Sequence, residues 1–286
     1  MKLQLVRALL WLVHLLPFCL MRAIALPMGW LFYLALGRRR KIGLTNLQLC
    51  FPDWSAAKRQ QTLRQHFVQM CSVILAYSIL LWGSPSRIRN LVRVEGFEHF
   101  EAVADRPIII LAPHFIGLDF GASVFRLERS GASMYSQQRG VFHDISLQIR
   151  SRFNQPTLIK RTEGIRPVVR ALKQKLPFYY LPDQDLGAKE SIFAPFFGIQ
   201  TATVPALAKL AAVSGAAVIP VITTLQGNGF VSRYYPAWDH YPSNDTLQDT
   251  SRMNAFIEQI AREYPSQYYW LHRRFKTRPE GEDSVY

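Results

Sequence analysis

The stretch Arg106–Phe120, RPIIILAPHFIGLDF, constrains the fold more than any other part of the chain. Ile108–Leu111 is a short aliphatic run of the kind that forms a strand buried on both faces, and Leu118–Phe125 opens a segment of helical spacing. Between them stand Pro113 and His114, with Asp119 five positions further on. A buried strand leading into a helix is the unit of an α/β sheet, and open α/β sheets gather their chemistry at the carboxyl ends of strands. An imidazole there can take a proton from a hydroxyl, while a carboxylate fixes its tautomer and stabilises the imidazolium that forms. No serine or cysteine is placed to serve as nucleophile, which leaves the attacking hydroxyl to a substrate.

Spacing alone does not carry this reading. Seven histidines and twenty acids give about half a chance match to H-x4-[DE] in a chain of this length, so context must decide. His240 and Asp245, in HYPSND, repeat the spacing among turn formers with no strand before them. Only His114 has the strand–turn–helix setting. A buried His–Asp pair with a purely structural role is the alternative.

From Pro107 onward, strand-like runs (Ile108–Leu111, Ala132–Ser136, Pro156–Ile159, Phe178–Leu181, Ala217–Thr223, Phe230–Tyr235) alternate with helical stretches. The helical stretches are Asp119–Glu128, Asp144–Phe153, Gly164–Lys175 and Val204–Ser214, with Thr246–Tyr264 last. This predicts an α/β fold, a mostly parallel sheet flanked by helices. Before it, Ser55–Trp82 reads as a long helix capped by Ser55 and ended by Gly83-Ser84-Pro85. Its second half, Val73–Trp82, is apolar nearly all round, so it is buried in protein or touches lipid, and core rather than a ligand site is the expected fate of a Met or aromatic stripe there.

The net charge of +14 points to anionic partners: nucleic acid, phosphorylated metabolites, acidic proteins or membrane lipids. The N-terminus selects among them. Ala8–Met21 and Ala23–Gly37 are charge-free runs of 14 and 15 residues, separated by Arg22. Each is shorter than the roughly 20 residues that span a bilayer. Together they make either one tilted span or a broken helix in one leaflet with Arg22 snorkelling to the headgroups. Arg38–Lys41, RRRK, follows at once, which places the rest of the chain in the cytoplasm by the positive-inside rule and can hold anionic headgroups. The division expected is a membrane anchor over 1–37, a basic linker and helical segment over 38–93, and the α/β domain over 94–286.

Loops after other strands should converge on His114. Lys160-Arg161-Thr162-Glu163-Gly164 opens a helix and suits an anion, although Arg161 paired only with Glu163 would serve as well. Pro182-Asp183-Gln184-Asp185 sets two acids at a strand end, fit to hold Arg161 or a substrate hydroxyl; no further ligand at metal spacing follows, so no metal is expected. Ile192–Ile199, IFAPFFGI, is either core or the wall of an acyl pocket. Gln267–Gly281 interleaves aromatics with His272, Arg273, Arg274, Lys276 and Arg278. That composition fits a phosphorylated amphiphile at a membrane interface or single-stranded nucleic acid, and the apolar N-terminus favours the first.

In their order, these segments resemble the late acyltransferases of lipid A biosynthesis, the lauroyl and myristoyl transferases of Gram-negative bacteria, within the wider H-x4-[DE] lysophospholipid acyltransferase superfamily. The resemblance runs nearly end to end: RRRKIGLTNLQLCFP, APHFIGLDFGA, KRTEGIR, LPDQDLG, FFGIQTAT and QYYWLHRRFKTRPEG. It implies an acyltransferase with no cofactor, in which His114 is the base, Asp119 its partner, and Arg161, Asp183 and Asp185 engage substrate. It further implies an acyl carrier protein thioester as donor, a Kdo-bearing, phosphorylated lipid A precursor as acceptor, membrane lipid rather than nucleic acid as partner, and the cytoplasmic face of the bacterial inner membrane as location. One departure stands out. Many relatives carry Tyr-Arg-Pro after the second strand, whereas this chain has Tyr135-Ser136-Gln137-Gln138-Arg139, so an anion contact there either falls to Arg139 or is absent. The rival readings are an acyltransferase acting on lysophosphatidate or another lipid, and a non-catalytic, membrane-anchored protein that binds anionic lipid.

Overall fold

The computed structural model describes residues 2–137 and 140–286. Helices α1 (Lys2–His14), α2 (Phe18–Ala35), α3 (Gly37–Cys50), α4 (Ala56–Trp82) and α5 (Pro85–Leu91) precede strand β1 (Val92–Glu95) and a single turn, α6 (Glu98–Glu101). Then come β2 (Ile108–Leu111), α7 (Leu118–Glu128), β3 (Ala132–Tyr135), α8 (Val141–Arg150), β4 (Thr157–Lys160), α9 (Arg166–Lys173) and β5 (Phe178–Tyr180). A hairpin of β6 (Ile192–Phe196) and β7 (Ile199–Thr203), α10 (Ala206–Ser214), β8 (Ala217–Gln226), β9 (Gly229–Tyr234) and α11 (Thr246–Glu263) complete the chain.

Seven strands form one sheet in the order β1-β9-β8-β2-β5-β3-β4, parallel throughout except for the β8–β9 hairpin. The fully buried β2 explains its unbroken apolar run. Ile109 and Leu111 pack on one face with Phe178, Val218 and Trp270, while Ile108 and Ile110 pack on the other with Phe125, Tyr179 and Ile219. Both faces of a parallel sheet are covered in this way, and no polar alternation survives in its central strand.

Two elements were not delimited by the sequence pattern, an edge strand of the seven-stranded sheet and a separate two-stranded sheet. β1, VRVE, pairs in parallel with β9 at the edge. IFAPFFGI becomes the β6–β7 hairpin, whose turn residues Phe197 and Gly198 both have positive φ (52° and 74°), as a tight two-residue hairpin turn requires. Phe196 and Phe197 are buried in the main core. This settles the segment as core, not as the wall of the cavity described below.

The N-terminal helices are packed onto the body along one side. Phe18, Met21, Ala25, Gly29 and Tyr33, spaced three and four apart, are the buried face of α2. At Gly29 a Cβ would stand 2.5 Å from Val68 Cα, so glycine is what lets α2 lie so close to α4. The opposite face is bare: of sixteen large hydrophobic side chains exposed among the described residues, eleven fall between Leu9 and Leu36. Arg22 is exposed and donates to the Gly227 carbonyl in the β8–β9 turn. RRRK is helical, inside α3, where Arg39 donates to the Leu271 carbonyl and Arg40 to that of Tyr33. α2 and α4 are each long and apolar enough to cross a bilayer, but over half of α4's apolar window is buried in protein.

A candidate acyl-transfer site at the carboxyl edge of the sheet

β2 and β5 are adjacent and parallel, with Leu111 opposite Tyr180. His114 lies three residues beyond Leu111 and Asp183 three beyond Tyr180, so equal offsets from paired positions carry both side chains to the same height above the sheet. His114 Nδ1 is 2.7 Å from Asp183 Oδ1, and the His114 backbone N–H donates to Asp183 Oδ2 at 2.9 Å. Burial pushes the Asp183 carboxyl up, but the charge and hydrogen bonds of His114 outweigh it, and the group stays below the ordinary carboxylate range. An ionised carboxylate only accepts, so Nδ1 carries a hydrogen, and whenever the ring is neutral its lone pair lies at Nε2. The C-terminal segment braces the loop from the other side: Tyr269 N–H donates to the His114 carbonyl and Ile116 N–H to that of Gln267, at 3.0 Å each.

Asp119 occupies a separate station. It sits in the first turn of α7, which lies so close to β8 that a Cβ on Gly121 would fall 2.0 Å from Thr223 Oγ1. Tyr77 OH on α4 donates to Asp119 Oδ2 at 2.7 Å, and Arg150 Nε at the end of α8 is 3.4 Å from Oδ1. Burial pushes this carboxyl up as well; the Arg150 charge, the Tyr77 hydrogen bond and the charge of the buried Arg126 reverse the shift, and the group is held ionised. No hydrogen bond joins Asp119 to His114 among the described residues. The pairing expected from H-x4-D is therefore corrected: the carboxylate on the imidazole is Asp183, brought by the neighbouring strand.

Both stations open on one cavity of about 190 Å³, lined by Met70, Val73, Ile74 and Tyr77 from α4, by residues of the His114–Asp119 loop, and by Arg150 and Tyr269. Positions 70, 73, 74 and 77 form one helical face. Val73–Trp82 was expected to be buried in protein or to touch lipid; most of it is core, and Val73, Ile74 and Tyr77 line the cavity on one face.

The remaining sequence candidates lie elsewhere. Arg161 follows β4, three strand spacings from β2, or about 14 Å; its Nη2 meets Glu190 at 2.6 Å while Glu163 accepts from the Lys160 N–H. Asp185 is committed to the protein's own chain, Oδ1 accepting from Gly187 N–H and Thr277 Oγ1–H and Oδ2 from Thr277 N–H. Arg139 lies outside the described residues. The aromatic and basic C-terminal segment is a strap rather than an exposed interface: Trp270 and Phe275 are among the most buried side chains, and Arg274 donates to Ala202 O and Thr203 Oγ1. His240 and Asp245 are apart in role, Asp245 capping α11 by accepting from Leu247 and Gln248 N–H.

Sequence reasoning missed three residues. Gln184 Nε2 lies 3.1 Å from His114 Nε2. Its signal was its place between the two acids. Tyr77 was marked only as one of few polar atoms in an apolar helix, and Arg150 by nothing beyond a cation in the last turn of a short helix.

Comparison with known proteins bears on this arrangement. The model of a family described as bacterial lipid A biosynthesis acyltransferase matches residues 2–277. The lipid A biosynthesis palmitoleoyltransferase of Escherichia coli (strain K12) is 31% identical over 282 residues, covering 97% of this chain and 92% of the relative. The lauroyltransferase of the same organism matches at 31% over 282 residues with the same coverage, and its myristoyltransferase at 30% over 253 residues, 86% of this chain and 78% of the relative.

Proposed function

The chain belongs to the bacterial lipid A biosynthesis acyltransferase family, and from that premise we propose that it moves a fatty acyl group from an acyl carrier protein thioester to a hydroxyl of a Kdo-bearing, phosphorylated lipid A precursor, with His114 as the base. The observation that carries this reading is the 2.7 Å contact between His114 Nδ1 and a buried, ionised Asp183, on the rim of a cavity walled by apolar side chains.

Asp183 fixes the tautomer, so Nε2 is the basic nitrogen. The acceptor hydroxyl gives its proton to Nε2 as its oxygen attacks the thioester carbon; the carbonyl π pair moves to oxygen, giving a tetrahedral oxyanion. On collapse the C=O re-forms, the C–S bond breaks, and the imidazolium returns its proton to the leaving thiolate. Asp183 offsets the imidazolium charge in between. Met70, Val73 and Ile74 face apolar chain, and Arg150, oriented by Asp119, supplies positive charge beside the reacting groups. Arg161 serves as a more distant contact for acceptor anions, and the excess positive charge favours both the acceptor and an acidic carrier protein.

The bare apolar face of α1 and α2 supports a seat in the membrane. A helix pair packed on the body by one side and apolar on the other lies in the plane of a leaflet, and we assign it to the cytoplasmic leaflet of the inner membrane. On this reading residues 1–37 are the membrane anchor, 38–93 the segment joining it to the body, and 94–286 the catalytic domain.

The test is transfer by purified enzyme from one acyl thioester offered to a lipid A precursor and to lysophosphatidate. Transfer to the lipid A precursor, abolished in a normally folded His114→Ala variant, is the expected result. Acylation of the glycerolipid alone would overturn the acceptor assignment, and undiminished transfer by His114→Ala would overturn the assignment of the base.

A further inference from the structure

We propose that the Gln184 side-chain amide is a catalytic group, a hydrogen-bond donor that passes from His114 Nε2 in the resting enzyme to the oxyanion of the tetrahedral intermediate. The inference rests on the reading of His114 as base.

The resting contact has a defined polarity. Because the ionised Asp183 accepts from Nδ1–H, the neutral form of the ring, the form that can act as base, has only a lone pair at Nε2. Toward that form the group 3.1 Å away is the Gln184 N–H₂ donating to it. The lone pair that must take the acceptor proton is therefore already capped, by a donor that loses its partner once Nε2 is protonated. At that moment N–H faces N–H, and the contact turns repulsive.

A new acceptor appears within reach at the same instant. The attacking oxygen must lie about 3 Å from Nε2 to hand over its proton, and the thioester carbon one bond beyond it. An amide nitrogen 3.1 Å from the same Nε2 needs only a turn about the soft terminal torsion of glutamine to approach the developing oxyanion at about 3 Å. The proton goes from hydroxyl to imidazole, the π pair goes to oxygen, and the amide hydrogen bond follows the charge.

The local structure suits a mobile tip on a fixed base. Asp183 is tied to His114 by two hydrogen bonds, and Asp185 is tied to Gly187 and Thr277 by three. The backbone on both sides of Gln184 is thus held, while among the described residues its own side chain makes one hydrogen bond, to His114. Its two neighbours are ionisable and occupied, whereas Gln184 brings a donor that cannot titrate away.

The experiment measures kcat, acceptor KM and pH profile of Gln184→Met and Gln184→Glu beside His114→Ala, each checked by thermal melting. For Gln184→Met the expected result is a 10²- to 10³-fold fall in kcat, the usual loss for one oxyanion donor, with acceptor KM within about threefold of wild type. Gln184→Glu should fall at least as far, and its acid limb should move to higher pH, since a carboxylate beside Nε2 favours imidazolium. Should Gln184→Met melt below the assay temperature, Gln184→Asn, with the same amide one methylene short, replaces it under the same expectation. A kcat within threefold of wild type, a rise in kcat, or a loss confined to KM overturns the proposal while His114→Ala remains inactive. Activity retained in His114→Ala overturns the underlying assignment of the base instead.

Discussion

Two buried carboxylates serve the cavity, Asp119 as part of its lining and Asp183 from behind His114, and they are built differently. Asp183 is delivered by the sheet: it leaves β5 at the same offset at which His114 leaves the neighbouring β2, so backbone register sets their separation. Asp119 is delivered by helices. It depends on α7 resting on β8 through Gly121, on α4 for Tyr77 and on α8 for Arg150. The sheet-borne station is made of groups near in space and 69 positions apart in sequence, the helix-borne one of three side chains from three helices. In the proposed mechanism the two do different work: Asp183 controls the imidazole, while Asp119 holds a cation and a phenol in place.

The largest effect should separate the two. Asp183→Asn leaves the shape of the site but removes the carboxylate that fixes the tautomer, and kcat should fall by about 10³–10⁴. Asp119→Asn loses charge-assisted hydrogen bonds worth about 1.5–3 kcal/mol, a fall of roughly 10- to 100-fold. Steady-state kinetics of both variants in normally folded protein make the comparison. A larger loss for Asp119→Asn would exchange the roles assigned here.

What could be read from the chain follows the same line. β2 and the start of α7 were legible because four adjacent buried residues and a helical spacing are local properties. The expected contact between Asp119 and His114 is not formed among the described residues, for the same reason: five positions of chain suggested it, whereas hydrogen bonds at a sheet edge run across strands. Asp183 was noticed as an acid at a strand end, yet nothing local says that β5 lies beside β2 and not beside β4. The aromatic and basic strap looked like an interface because composition does not record what a residue touches. Trp270 and Phe275 close the core, and the Asn46 amide on α3 binds the carbonyls of Trp270 and His272. The bare apolar face of α1 and α2 was foreshadowed by the unbroken leucine-rich runs. The buried face was hidden until Gly29 could be set against Val68.

Arg161 sharpens the comparison from outside both stations. Its pair with Glu190 is partly exposed, with a third of the arginine side chain in solvent, so the pair contributes about 0–1 kcal/mol to stability. If the guanidinium meets an acceptor anion, Arg161→Lys should still lower acceptor kcat/KM by roughly ten- to a hundredfold, because an ammonium cannot reproduce a bidentate fork. Donor thioester hydrolysis should be little changed. Melting curves and acceptor-dependent kinetics of Arg161→Lys, Arg161→Ala and Glu190→Gln distinguish the outcomes. Near wild-type kcat/KM in both arginine variants would confine Arg161 to its surface pair.

The effect smallest on activity concerns acid and stability, and it again divides the helix side from the strap. His66, on α4, is buried with Nδ1–H on the Ser266 carbonyl and, among the described residues, no partner for Nε2; burial brings its pKa to about 4. His272, on the strap, accepts from Asp185 N–H, and burial likewise brings it to about 4. A histidine depressed from 6.5 binds its proton in the unfolded chain before it does so in the native one. Between pH 6.5 and 4 the unfolded state therefore holds more protons, and stability falls as pH falls. From pH 7 to 5 each histidine withdraws about 2 kcal/mol, and both aspartates, depressed from their usual range, stay ionised throughout. Thermal melts of detergent-purified protein at pH 7 and pH 5 should show this loss, with about half removed in His66→Gln and half in His272→Gln. Because His66 shares α4 with Tyr77, acid in the His272→Gln background should weaken the Asp119 station first, seen as faster hydrogen exchange in α4 than in β5. Equal acid sensitivity in both single variants and wild type would show that neither histidine is the cause.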